Sequence, residues 1–75
     1  MATIKRLESS RIVMYFSDHP PPHVHVKLTQ GRDCTVDLAT LRINGPVEAR
    51  EIREALAWIR SNREHLEQLW RERVA

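Results

Sequence analysis

The feature that most restricts this chain is a pair of strictly alternating runs on either side of one glycine. In His23-Val24-His25-Val26-Lys27-Leu28 the polar residues hold the odd positions and the apolar residues the even ones, the period of a strand with one face buried. Asp33-Cys34-Thr35-Val36-Asp37-Leu38 repeats the alternation, again with apolar residues at even positions. Strands over 23–28 and 32–38 therefore read as a hairpin turning at Gly31. A slip of one residue would set the apolar side of one strand against the polar side of the other, so the loop must hold an odd number of residues. A three-residue loop, Thr29-Gln30-Gly31, satisfies that parity and gives Gly31 the left-handed position such loops need. The resulting register sets Val26 against Cys34 and Val24 against Val36 inside, and His23 against Asp37 and Lys27 against Asp33 outside.

Around the hairpin, Pro20-Pro21-Pro22 and Asn44-Gly45-Pro46 cut the chain into three parts. Arg11-Ile12-Val13-Met14-Tyr15-Phe16-Ser17 is β-branched, aromatic and almost continuously apolar, which predicts a strand over 11–17 covered on both sides. After Gly45, with Asn44 or Gly45 as cap, Pro46 suits the first position of a helix and Glu48 its first turn. Ile52, Leu56, Ile59, Leu66 and Trp70, with Ala49 and Ala55, continue an apolar stripe at helical spacing. Helix is expected over 46–60 and 62–73, either as one bent helix or as two divided near Ser61, where Ser61-Asn62-Arg63-Glu64 has the form of a capping box. Arg50 and Glu54, Arg60 and Glu64, Arg63 and Glu67, and Glu67 and Arg71 stand at i,i+4 spacing, as in a solvated ion-pair ladder. The fold class expected is α+β: a small antiparallel sheet of about three strands covered by a C-terminal helical segment.

With 75 residues there is room for a single domain over 1–75 and one core, and a core this small gains from self-association or a standing partner. No run is apolar and long enough to cross a membrane or serve as a secretory segment, so a cytoplasmic protein is expected. Cys34 is the one cysteine; it excludes an internal disulfide and reads as a small buried apolar residue. The formal charge of +2 permits contact with nucleic acid without requiring it. Trp58 stands off the helical stripe, where it could pack on the first strand or the N-terminal segment or face a partner, whereas Trp70 belongs to the stripe.

The chemistry is concentrated in Asp18-His19-Pro20-Pro21-Pro22-His23-Val24-His25, which holds three of the four histidines. On one strand face, His23 and His25 have Cα atoms roughly 6.7 Å apart, from which two imidazoles can converge on one metal ion. Asp37, opposite His23, is the candidate third ligand or the acceptor that orients an imidazole. His19 would stand about 12 Å from His23 on an extended polyproline segment unless the chain turns or a bond is cis. As catalytic groups, His23, His25 and Asp37 could work as acid and base near neutral pH. A surface of His19, His23, His25, Lys27 and Arg11, with Trp58, is the candidate contact for a partner or nucleic acid. No cofactor is required, although a divalent metal such as zinc suits the histidines. No glycine-rich phosphate loop, nucleophile elbow, zinc-finger pattern or helix-turn-helix signal occurs.

The run Ile12-Val13-Met14-Tyr15-Phe16-Ser17-Asp18-His19-Pro20-Pro21-Pro22-His23-Val24-His25-Val26, followed by Trp58, Glu64, Leu66 and Trp70, resembles the bacterial family catalogued as domain of unknown function 4160. The resemblance covers most of the chain from Arg11 onward, and Arg42-Ile43-Asn44-Gly45-Pro46 fits the family's approach to its helix less well. It implies bacterial or phage origin, a strand-rich half followed by helix, and association with toxin and antitoxin gene pairs; His19, His23 and His25 match the family's histidine segment. Three functions follow as expectations. The first is an interaction module of such a pair, acting through a partner protein or nucleic acid. The second is a small ribonuclease-type toxin with His23 or His25 as base, and the third is a metal-binding regulatory protein.

Overall fold

Five antiparallel strands follow one another across a single sheet: β1 (Ala2–Arg6), β2 (Ser10–Met14), β3 (His23–Leu28), β4 (Asp33–Asp37) and β5 (Ile43–Asn44). A short 3-10 turn (Ala49–Ile52) then leads into α1 (Arg53–Ser61) and α2 (Arg63–Arg73). The computed structural model describes residues 2–74. No helix among them is long and apolar enough to cross a membrane.

The β3–β4 hairpin has the register that parity demands. His23 pairs with Asp37, Val24 with Val36, Val26 with Cys34 and Lys27 with Asp33. The Gly31 amide donates to the Leu28 carbonyl at 3.0 Å and the Leu28 amide to the Arg32 carbonyl at 2.9 Å, closing the three-residue loop with Gly31 at φ +104°. Alternate residues bury Val24, Val26, Cys34 and Val36 against the helices. Ile12 and Met14 join them from β2, and Ile52, Ala55, Ile59, Leu66 and Trp70 meet them from the helical side. The α+β architecture is thus two layers, with the helices on one face of the sheet.

Several expectations are corrected. The sheet has five strands rather than three. β1 pairs with β2, and its register shifts between Thr3 and Lys5. That bulge interrupts the alternation by which a strand is read, and Lys5 and Arg6 give β1 the charged character of a sheet edge. β5 is only two residues long, pairing Thr35 with Asn44 and Val36 with Ile43, too short to leave a periodic signal. The first predicted strand, 11–17, spans Ser10–Met14 instead. Its pairing with β3 runs from Ser10 opposite Leu28 to Val13 opposite His25, and the chain beyond Met14 turns back, the Asp18 amide reaching the Tyr15 carbonyl at 3.4 Å.

Helix also begins later than Pro46. Gly45 holds φ +131°, and a Cβ there would lie 3.0 Å from the Cys34 Cβ and 3.1 Å from the Asp33 carbonyl oxygen, so β4 itself demands glycine. Val47 is buried as an anchor. The cap is Glu48, whose amide donates to Glu51 Oε2 at 2.8 Å. The helices break at Asn62 (φ −117°, ψ 19°), but the Ser61–Glu64 capping box does not carry the break: the Asn62 side chain donates Nδ2 to the Trp58 carbonyl at 2.8 Å, satisfying the end of α1. That break disrupts the i,i+4 spacing of Arg60 and Glu64. Among the described residues none of the four ladder pairs forms an ion pair; Arg50 turns to Glu48 at 2.8 Å and Arg32 to Glu51.

Candidate metal centre

The site is built by the period of β3 and the loop before it. Positions 23 and 25 project both imidazoles to the side of β3 opposite the buried Val24 and Val26, and the turn after β2 brings Asp18 back across them. Asp18 Oδ2 lies 2.8 Å from His23 Nε2 and 3.0 Å from His25 Nε2. Its other oxygen, Oδ1, accepts the His19 backbone amide at 3.1 Å. One carboxylate oxygen therefore receives the same nitrogen of two rings. The side chains are largely but not fully shielded, at 13% exposure for His23, 23% for His25 and 17% for Asp18.

The surroundings restrict each ring. His23 Nδ1 stands 2.8 Å from the Pro21 carbonyl. A carbonyl oxygen only accepts, so Nδ1–H donates to Pro21, which leaves Nε2 as the ring nitrogen that meets Asp18. Trp70, from α2, packs on the His23 ring with centroids 5.1 Å apart, and Tyr15 meets His25 edge-on at 4.5 Å. For Asp18, partial burial pushes the carboxyl pKa up, but hydrogen bonds from His25, the His19 amide and His23, with the charge of His23, outweigh it and hold the group below its ordinary value.

Asp18, His23 and His25 each offer one ligand atom, all within 4.8 Å of one another. Two imidazoles and a carboxylate suit zinc and its first-row neighbours. They border an open cavity of about 390 Å³ whose far wall includes His19, Thr35, Asp37 and Asn44.

The structure distributes the sequence candidates unevenly. His23 and His25 stand together as expected. Asp37 lies opposite His23 in register and lines the cavity, but its Oδ1 accepts the amides of Ala39 and Thr40 at 2.8 and 3.0 Å, capping the turn after β4. Asp18, not Asp37, supplies the carboxylate at the histidine nitrogens. The proline segment does not extend: Pro20–Pro21 is cis, and the rings of His19 and His23 lie 6.3 Å apart by centroid. Lys27 donates to Asp33 at 3.3 Å beside the Tyr15 ring, with Arg11 its neighbour on β2. Trp58 packs half-buried against the core, and Trp70 is core as well as a wall of the site.

The run of residues from Ser10 through the histidine strand to α2 is also what relates this protein to others. A family model described as Domain of unknown function (DUF4160) matches residues 10–71. The chain belongs to that family. The match takes in the whole of the DUF4160 site just described, Asp18 included, and leaves β1 outside. No curated protein and no solved structure matched the chain.

Proposed function

We propose that this DUF4160 domain is a small metal-binding module in which Asp18, His23 and His25 hold one divalent transition-metal ion of the zinc class. The observation that carries the reading is the orientation of His23. Its Nδ1–H is donated to the Pro21 carbonyl, and its Nε2 converges with His25 Nε2 on Asp18 Oδ2. An imidazole tied through one nitrogen to a carbonyl is the usual setting of a metal-bound histidine; its Nε2, which meets Asp18 Oδ2 at 2.8 Å, would exchange that hydrogen bond for the metal. Size supports it too: tetrahedral zinc with bonds of about 2.0–2.1 Å separates its ligand atoms by about 3.3 Å. That is a few tenths more than the 2.8 and 3.0 Å found here.

Three protein ligands leave a coordination position facing the cavity, where water, His19 or a partner's side chain can complete the shell. A module with such a face is suited to regulated interaction, and the part in a toxin and antitoxin gene pair that the family suggests belongs to this proposal. The test is titration of chelator-treated protein with zinc by calorimetry, with native mass spectrometry for stoichiometry. One ion per chain is expected, lost in Asp18→Asn and His25→Ala with the far-UV circular dichroism unchanged, and kept in Asp37→Asn. A wild-type protein that takes up no zinc, nickel or cobalt overturns the reading.

A further inference from the structure

The strand register aligns a second group of residues near the opposite end of the sheet. Arg6 of β1 stands directly across from Arg11 of β2, and Arg11 directly across from Lys27 of β3. Three cations thus form one row over three adjacent strands, on the face away from the helices. Like charges opposed across a ladder cost stability. Protection of a free sheet edge accounts for Arg6, but not for Arg11 and Lys27, which lie on the interior strands β2 and β3. Among the described residues neither Arg6 nor Arg11 has an ion-pair partner.

The row borders a cavity of about 470 Å³ between the β1–β2 turn and the β3–β4 loop, to which Arg32 adds a fourth cation and Asp33 the one carboxylate. Arg32 is committed to Glu51 and the Pro46 carbonyl, and Asp33 to Lys27. Arg6 and Arg11, with the half-shared Lys27, are left to face an anion. Tyr15 lies on the same sheet face, its half-buried ring 5.7 Å from Lys27 Nζ. A cation track beside an aromatic ring is the combination that holds the backbone and bases of a single strand. The exposed large hydrophobic that a membrane contact would need, Phe16, lies instead at the other end of β2, in the loop beside the histidines.

We propose that the Arg6–Arg11–Lys27 row binds the phosphodiester backbone of single-stranded nucleic acid, with Tyr15 as a stacking surface. The cation row shares no residue with the Asp18–His23–His25 cluster, and Lys27 stands about 13 Å along β3 from His23. Tyr15, which also meets His25 edge-on, is the contact between the two regions, so the row is tested through Arg6 and Arg11, which are not part of the metal reading.

The experiment is fluorescence anisotropy with a short labelled oligouridylate and its oligothymidylate counterpart, on full-length protein at rising sodium chloride. Three phosphate contacts on a single strand give a slope of log affinity against log salt of about −2. The Arg6→Gln/Arg11→Gln variant should bind about tenfold or more weakly, with a slope near −0.7. Because it removes opposed like charges, its melting temperature should equal or exceed that of the wild type. The Arg6→Lys/Arg11→Lys variant should keep the wild-type slope, which separates charge from any damage to the fold. Preference for the ribo- or deoxyribo-oligomer identifies the source of the phosphodiester. Failure of both oligomers to bind, a slope unmoved by the glutamine pair, or equal binding to phosphatidylserine vesicles overturns the proposal.

Discussion

Asp18 and His25, seven residues apart on either side of a proline triplet, meet through Oδ2 and Nε2 at 3.0 Å. The carboxylate comes from a turn and the imidazole from a strand, so the cluster exists only when the loop after β2 is folded down on β3. Occupancy of the site should therefore stabilise the whole fold rather than a local segment.

For a ligand that binds only the native state, saturation at a hundredfold excess over Kd adds about 2.7 kcal/mol. Zinc should accordingly raise the melting temperature of the chelated protein by several degrees, and Asp18→Asn should lose that rise while its metal-free melting point changes less. Differential scanning fluorimetry with and without zinc reads both. An equal zinc-dependent shift in the variant would assign the stabilisation to other residues.

The two glycines should differ in what they tolerate. At Gly31 a Cβ would meet nothing within 4 Å, so Gly31→Ala costs only the strain of φ +104°, about 1 kcal/mol. At Gly45 the strained φ is joined by contacts of 3.0–3.1 Å with β4, and Gly45→Ala should cost about 2–3 kcal/mol. Urea unfolding of the pair decides it; equal losses would mean that the β4 backbone yields freely.

Acid should act partly through Glu51. The Arg32 guanidinium, then the Glu48 amide, hold its carboxyl below the ordinary glutamate value against a small opposing effect of burial. A carboxyl with a lower pKa folded than unfolded contributes stability above its unfolded pKa and loses it as pH falls through the folded one. In Arg32→Gln the decline of the urea midpoint below about pH 4.5 should be shallower than in the wild type. Parallel declines in the two proteins would remove this pair from the acid response.

Cys34 should be chemically silent while the protein is folded. Burial pushes its thiol pKa up, with the charges of Asp33 and Glu51 adding to the effect, and the residue is 4% exposed. The reactive species is the thiolate, so Ellman's reagent should react slowly in buffer and rapidly in urea. Prompt stoichiometric reaction of native protein would show that β4 opens locally.

Much of the fold could be read because it is written in periods of two and near four. The hairpin register followed from alternation and from one glycine, since a one-residue slip exposes an entire apolar face. Leu66 and Trp70 declared a buried helical side. β1 escaped because its bulge breaks the period, and β5 because two residues make no pattern. Glu48 displaced Pro46 as the helix start because Gly45 and Val47 are held by contacts with the sheet and core, which propensity does not register.

Within the site, the sequence alone determined that His23 and His25 share a face and that Asp37 lies across from His23, for these are consequences of strand geometry. It determined as well that the C-terminal half covers the sheet. Only the tertiary structure decided which carboxylate reaches the imidazoles, for that rests on how the segment from Tyr15 to Pro22 turns. It also decided that Asp37 caps its own turn. The cation row across β1, β2 and β3 belongs to the same class: each residue is an ordinary surface cation in the sequence. The opposition of Arg6, Arg11 and Lys27 arises when strand pairing brings distant positions within about 5 Å of one another.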